Sequence, residues 1–147
     1  LKGTTKDACF EELVERISAA RPDLDKEKML AAVKDREAKM GTSVMAGIAV
    51  PHGYYRGFNG IVGAIGFSRG GIDYQAADNR PVHLVFLLVL GEEARERHLL
   101  VLGELLEFLE SEGASRIRGA RNPRDVLNTF RESPRRAQSR RLWRLPG

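Results

Sequence analysis

The chain has 147 residues, of which 30% are charged and 42% are apolar, and its formal net charge is +4. This length is typical of one domain with a substantial core. No apolar run reaches the roughly 18 residues that cross a bilayer, so we expect no membrane insertion. The single cysteine, Cys9, excludes an internal disulfide framework and favours a cytoplasmic location. The N-terminus has no signal-peptide pattern, although a chain that begins with Leu1 leaves an upstream domain open.

The positive charge is concentrated at the end of the chain. Residues 131–147 contain six arginines and one glutamate, a charge of +5 that leaves −1 for the other 130 residues. We therefore predict a nearly neutral domain over residues 1–132 and a flexible, arginine-rich tail over residues 133–147. A module that binds nucleic acid through this tail is the alternative from a different functional class, and its affinity would fall with rising salt. The near-neutral domain makes a nucleic-acid partner unexpected.

The first forty residues predict two amphipathic helices. One spans Lys6 to Ala20 with Thr5 as its N-cap, and the next spans Lys26 to about Lys39 with Asp25 as its N-cap. The second helix places Arg36 in its last turns. The residues expected in the core are Cys9, Phe10, Leu13, Val14 and Ile17 from the first helix, and Met29, Leu30, Ala32 and Val33 from the second.

Three apolar segments are typical of strands: residues 47–50, 61–68 and 82–90. The last is apolar except for His83, and this continuity predicts a central strand that is covered on both faces. We expect His83 to be structural, hydrogen-bonded to a loop near the start of its strand. The intervening residues predict loops at 41–46 and 54–60 and a turn at 69–71. The second loop is aromatic, and two interpretations of it remain open. Its aromatic side chains either cap the edge of the core or form a surface on which a partner docks.

A third long helix is predicted from Glu92 to about Ser111, with Leu99, Leu102, Leu106 and Leu109 on its apolar stripe and His98 in its first turns. Two shorter helices are expected at residues 115–120 and 123–131. Strands that are separated by helices predict an α/β domain, a small mixed sheet between helical layers.

His52 is the residue best placed for chemistry. Pro51 has no N–H for a sheet ladder, so we expect the strand to stop there and His52 to lie on an open turn, followed by Gly53. Imidazole has an ordinary pKa of about 6.5, so at neutral pH it can act as a nucleophile. A surface or hydrogen-bonded histidine without a catalytic role is the alternative.

The surrounding motif resembles the phosphorylation site of a known family. Arg36-Glu37, Thr42 and the sequence Gly-Ile-Ala-Val-Pro-His-Gly at residues 47–53 are similar to the site of the fructose/mannitol-type EIIA proteins, type 2, which include the nitrogen-regulatory EIIA. These proteins belong to the bacterial phosphoenolpyruvate-dependent sugar phosphotransferase system. The resemblance continues through residues 71–74, 78–89 and 98–102 and covers roughly residues 5 to 130. It implies the same α/β fold, with a mostly parallel mixed sheet.

The resemblance also implies roles for four residues. His52 would be the phosphorylated nucleophile, and Arg36 would neutralise and position the phosphoryl oxygens. His98 would hydrogen-bond the phosphoryl group or orient the active imidazole, and Thr42 would donate its hydroxyl to the same oxygens. A solvated helix face is the alternative for Arg36 and His98. The sequence departs from the family at residues 45–46, where Met-Ala replaces the common Gly-Asn, and this puts the transfer rate and the partner in question.

The function implied is that of a phosphoryl carrier. It would accept phosphate from the histidine-containing phosphocarrier protein and pass it to an EIIB partner. The alternative is a regulatory EIIA of the nitrogen type, whose phosphorylation state controls binding to a regulated protein; the segment 78–82 favours this branch slightly. We expect no cofactor, because the chain has no Walker glycine loop, and no metal, because its three histidines lack ligand spacing.

Truncation after Ser133 tests the predicted domain boundary. We expect the shortened chain to melt at nearly the same temperature and to accept phosphate at nearly the same rate, because the apolar pattern ends near Phe130. Thermal unfolding and phosphate uptake measure the two effects. Unfolding of the truncated chain would mean that Trp143 and its neighbours pack on the domain.

Overall fold

The computed structural model describes residues 1–39, 41, 43–45, 47–76, 78–109 and 124. The helices in this part of the chain are α1 (Lys6–Ala20), α2 (Lys26–Lys39) and α3 (Arg95–Phe108), and a 3-10 turn at Glu92–Ala94 precedes α3. The strands are β1 (Ser43–Met45), β2 (Ile48–Ala49), β3 (His52–Tyr55), β4 (Ile61–Ile72) and β5 (Val82–Gly91). The short helices predicted at 115–120 and 123–131 and the tail at 133–147 lie outside the described residues.

Strand β5 is the centre of the sheet. It pairs parallel with β2 and β3 and antiparallel with β4, and β1 pairs antiparallel with β2. Since β4 runs along β5 from Leu84 to Leu90, β2 and β3 share the opposite edge of β5. All residues of β5 except His83 are buried, as the continuous apolar pattern predicts. The predicted α/β class with a mixed sheet is confirmed, and the four described pairings divide evenly between parallel and antiparallel.

Pro51 interrupts the strand, as expected, because β2 ends at Ala49, but the expected open turn at His52 is wrong. Strand β2 places Ile48 opposite Leu84, β3 places His52 opposite Leu88, and both pairs have the same offset along the chain. The two strands therefore follow each other along the same edge of β5 in the same register. Pro51 removes one N–H from the ladder, but its carbonyl still accepts the Leu88 N–H at 2.9 Å. His52 thus lies within the sheet and is buried, not on an open turn.

Other predicted loops are also partly strand. Residues 43–45 form β1 as the first arm of a hairpin whose turn includes Gly47, with φ of +84°. Residues 54–55 continue β3. The predicted turn at 69–71 is an irregularity within β4, where the register with β5 shifts between Phe67 and Ile72. In each case pairing with a neighbouring strand outweighs local turn composition.

Helical layers cover both faces of the sheet. Helices α1 and α2 pack on one face, and both predicted caps are confirmed: Thr5 Oγ1 accepts from Ala8 N at 3.2 Å, and Asp25 Oδ1 accepts from Glu27 N at 2.9 Å. Leu30 and Ala32, predicted to be buried, are only half-buried. Their positions on α2 lie beside the stripe of Met29 and Val33, which is fully buried.

Helix α3 covers the other face with a stripe that differs from the prediction. Its buried residues are His98, Val101, Leu102, Leu105 and Phe108, and Leu109 follows. Leu99 is 45% exposed, so its predicted place on the buried stripe is wrong, whereas Leu106 is half-buried and packs against the core as predicted. His98 shares this buried face, and its ring reaches the end of β5.

Gly53 sets the distance between β3 and α2. A Cβ added there would lie 2.5 Å from the Ala32 carbonyl carbon and 2.7 Å from Val33 N, so the strand and the helix backbone would have to separate. We expect Gly53→Ala to destabilise the fold by about 1–3 kcal/mol, the usual cost of overpacking. Gly70→Ala is the control, because nothing lies within 4 Å of a Cβ at that strand position. Equal melting temperatures for the two variants would contradict this account of the contact.

Candidate functional site

The imidazole of His52 is held by its own strand. The residue is 8% exposed, and its Nδ1 lies 3.0 Å from the Val50 carbonyl oxygen. A carbonyl oxygen can only accept, so Nδ1 carries the hydrogen in this bond. In the neutral ring, Nε2 is then the nitrogen with the free lone pair. The backbone therefore selects one tautomer of His52 and leaves Nε2 as the nucleophilic atom.

The surroundings of His52 favour the neutral ring. Burial lowers the pKa of His52, and the positive charge of Arg36 lowers it further. The hydrogen bond to Val50 and the negative charge of Glu37 act in the opposite direction without overcoming the burial. The result is a pKa below the ordinary value of about 6.5. A buried imidazole that stays neutral at pH 7 has its Nε2 lone pair available for reaction.

Arg36 reaches this site from the last turn of α2. The contact of Gly53 with Ala32 and Val33 brings α2 against β3 one helical turn before Arg36. A cation in the last turn also interacts favourably with the negative end of the helix dipole. The positive charge of Arg36 lowers the pKa of His52, so the two groups lie within electrostatic range of each other. A purely solvated helix face does not describe Arg36, which is half-buried.

His98 is anchored to the end of the central strand. Its Nδ1 donates to the Gly91 carbonyl at 2.6 Å, and the residue is 4% exposed, so the expected alternative of a solvated helix face is wrong. Val50 and Tyr54 lie two positions before and two positions after His52, so their side chains point to the same face of the sheet as His52. Both pack in the apolar cluster that α3 covers. His52 and His98 therefore lie on the same face of the sheet. Thr42, the fourth predicted site residue, lies outside the described residues.

The aromatic segment after His52 belongs mainly to the core edge. Tyr55 is buried, and its hydroxyl accepts the Asp25 N–H at 3.1 Å. Phe58 packs against the same apolar cluster as Tyr55. Tyr54 is half-buried, and the Arg95 guanidinium lies over its ring, 4.5 Å from the ring centroid. Of the two open interpretations of this segment, the contacts of Tyr55 and Phe58 favour the edge of the core.

The other titratable groups that the sequence singled out have structural surroundings. His83 Nδ1 donates to the Ser68 carbonyl at 2.8 Å, so His83 is hydrogen-bonded as predicted, but its partner lies in strand β4 and not in a loop. Burial raises the pKa of the Cys9 thiol to about 12, so the thiol stays protonated at neutral pH. Among the described residues, no group of three or more histidine, cysteine, aspartate or glutamate side chains could hold a metal ion. No helix in the described ranges is long and apolar enough to cross a membrane.

Sequence reasoning gave no role to Glu37, which the structure buries next to the site. Only 8% of the residue is exposed, and its charge acts on His52. The signal was present in the spacing, because Met29, Val33 and Glu37 recur every four residues and so share one face of α2. The Val50 and Gly91 carbonyls, which orient the two histidines, carry no signal in the sequence because every residue has a carbonyl.

Comparison with known proteins identifies the family. Residues 1–133 match the family described as "Phosphoenolpyruvate-dependent sugar phosphotransferase system, EIIA 2". The chain belongs to this family, as the sequence predicts, and is an EIIA-type phosphotransfer component.

Individual relatives fall in two branches. A fructose-specific EIIABC component of Bacillus subtilis is 30% identical over 112 residues, which is 76% of this chain and 18% of that protein. The chain thus spans about a fifth of the length of this relative. A nitrogen regulatory protein of Bradyrhizobium diazoefficiens is 29% identical over 136 residues, 91% of this chain and 88% of that protein.

The fold is also that of a protein of known structure. The structure of a complex between enzyme IIA mannitol and phosphorylated enzyme IIB mannitol from Escherichia coli matches with a TM-score of 0.66 at 20% identity, over 90% of this chain and 92% of that chain. At this identity the similarity establishes the fold.

The charge of Arg36 predicts how His52 titrates. The pKa of His52 is lowered by burial and by Arg36, so we expect a titration midpoint below about 6.5 and a rise of that midpoint in Arg36→Ala. NMR titration of the imidazole measures the midpoint, with Arg69→Ala, an exposed arginine on β4, as control. In the unfolded state His52 has its ordinary pKa, so on acidification the unfolded state binds a proton before the folded state does. Stability should therefore fall as pH falls from about 6.5 toward the folded pKa. A midpoint that does not change in Arg36→Ala would contradict the proximity of the two groups.

Proposed function

We propose that this chain carries a phosphoryl group on His52. It accepts the group from the histidine-containing phosphocarrier protein and passes it to an EIIB partner. The observation that carries the proposal is the hydrogen bond from Nδ1 to the Val50 carbonyl, which leaves Nε2 as the free nitrogen of a buried, neutral ring. Membership of the EIIA 2 family supports a phosphotransfer role for the chain.

The chemistry is a transfer between two nitrogens. The Nε2 lone pair attacks the phosphorus of the donor's phosphohistidine, a new N–P bond forms, and the donor's N–P bond breaks with its electron pair returning to the donor imidazole. No proton has to move on His52, because Nδ1 keeps its hydrogen on the Val50 carbonyl. That hydrogen bond stabilises the positive charge which the ring gains when Nε2 is phosphorylated.

Arg36 supplies the compensating charge. A phosphoryl group brings about −1.5 to −2 charges into the site, and the positive charge of Arg36 already acts on the imidazole that would carry it. Arg36 therefore serves two steps: it keeps His52 unprotonated before transfer, and it stabilises the phosphoryl oxygens afterwards. In this proposal Thr42 donates its hydroxyl to those oxygens, and His98, whose Nδ1 is fixed on Gly91, offers Nε2 for a hydrogen bond.

The acceptor of the phosphoryl group is an EIIB domain in our proposal. The Escherichia coli complex joins an enzyme IIA of the same fold to a phosphorylated enzyme IIB, and the Bacillus subtilis relative is a fructose-specific EIIABC component. A cytoplasmic location, which the single cysteine favours, belongs to the same proposal.

A regulatory EIIA is the second candidate function. The nitrogen regulatory protein of Bradyrhizobium diazoefficiens matches along nearly the whole of both chains, whereas the match to the fructose-specific protein covers only a small part of that protein. In the regulatory case, phosphorylation of His52 would change the binding of a regulated protein. Both functions use the same phosphohistidine, and the phosphate acceptor distinguishes them.

Phosphate mapping tests the proposed acceptor. The purified chain, incubated with the phosphorylated carrier protein, should gain one phosphate on His52 that is labile in acid and stable in alkali. His52→Ala should lose the uptake entirely. His83→Gln is the matched control and should retain it, because His83 lies at the opposite end of β5 from the residues that pair with β3. Mass spectrometry under alkaline conditions locates the group. Phosphate on His98, or uptake that survives in His52→Ala, would disprove the assignment.

A further inference from the structure

Glu37 is a buried carboxylate that directly follows Arg36, and its charge acts on His52. Its side chain is 5% exposed, although the stripe of α2 on which it lies is otherwise formed by Met29 and Val33. Burying a carboxylate costs several kcal/mol unless it is paired, and an apolar side chain would continue the stripe without that cost. The position of Glu37 therefore requires a reason beyond the packing of α2.

Lys6 is the partner that compensates this charge. Its Nζ lies 3.1 Å from Glu37 Oε1, and the same ammonium is 4.6 Å from the centroid of the Tyr74 ring. Tyr74 is 1% exposed and packs edge-on against Phe10 of α1, with ring centroids 6.1 Å apart. The ion pair thus ties the last turn of α2 to the first turn of α1 and to a fixed aromatic ring.

The carboxylate also lies near Gly41. A Cβ at Gly41 would lie 3.7 Å from Glu37 Oε1. Glu37 directly follows Arg36, and its negative charge raises the pKa of His52 while Arg36 lowers it. These contacts place Glu37 where the first turn of α1, the last turn of α2 and Gly41 meet.

We propose that Glu37, held by Lys6, is a positioning residue for phosphoryl transfer. By fixing the last turn of α2 against α1, it holds the guanidinium of Arg36 at the distance from His52 that the incoming phosphoryl group requires. Lys6 keeps the carboxylate compensated, so the positive charge of Arg36 remains directed at the phosphate. This inference rests on the proposed function of His52.

Glu37→Gln tests the proposal, because it keeps the shape of the side chain and removes the charge. We expect phosphate uptake to slow by roughly 10- to 100-fold, since a displacement of about 1 Å at a reacting centre can cost that much. We also expect the titration midpoint of His52 to fall, because the charge that raises the pKa is lost. Glu15→Gln is the matched control: Glu15 also joins α1 to α2, 4.0 Å from Lys26 Nζ, but its side chain is 73% exposed.

Two further variants separate positioning from stability. Lys6→Arg keeps the charge and should retain most of the uptake rate. The double variant Lys6→Met with Glu37→Leu replaces the ion pair by apolar side chains, which folded proteins often tolerate well. It should melt close to wild type and still transfer slowly. Wild-type uptake by the double variant, or the same rate and titration midpoint in Glu37→Gln and Glu15→Gln, would overturn the role of Glu37.

The two readouts also distinguish this inference from the proposed function. If the wild-type chain accepts no phosphate, the function of His52 fails, and the NMR titration still reports whether the charge of Glu37 acts on His52. If wild type and Glu37→Gln accept phosphate equally fast, the function stands and the positioning role is rejected.

Discussion

The hydrogen bond between the His52 ring and the Val50 carbonyl is the interaction on which the site depends. It is available because of the sheet geometry: the Pro51 carbonyl faces β5 and accepts from Leu88, so the neighbouring Val50 carbonyl points to the opposite edge. On that edge, the described residues of β1 pair with Ile48 and Ala49. The Val50 carbonyl accepts from Nδ1 of the buried imidazole, and this bond determines which ring nitrogen can react.

The rest of the domain positions charge around this fixed ring. Strand β5 supports His52 from one side and, through the Gly91 carbonyl, orients His98 on the same face of the sheet. Gly53 lets α2 approach β3 closely, and α2 brings both Arg36 and Glu37 to the site. The two charges have opposite effects on the imidazole. A carrier must accept a phosphoryl group and then release it, and balanced charges suit this requirement better than a strongly cationic site.

Much of the fold follows from local sequence signals, and part of the site does not. The caps at Thr5 and Asp25 and the apolar run of β5 have strong local causes, and the structure confirms them. The prediction of an open turn at His52 was wrong because pairing with β5 resumes after Pro51. This pairing joins residues that are distant in the chain, so the local sequence Pro51-His52-Gly53 does not reveal it. The face that α3 buries includes His98, whose bond to the Gly91 carbonyl is a contact between distant residues that the leucine spacing does not reveal. Family resemblance placed His52, Arg36 and His98 in the site, but the tautomer of His52 depends on backbone geometry.

The tautomer of His52 tests the account most directly. Long-range ¹H–¹⁵N correlation spectra of the ring, recorded above its titration midpoint and again after phosphorylation, distinguish a protonated nitrogen from a bare or phosphorylated one. The account predicts that Nδ1 is protonated in both states, held by Val50, and that Nε2 is bare before transfer and bonded to phosphorus afterwards. A bare Nδ1 in the free protein, or phosphate on Nδ1, would contradict it.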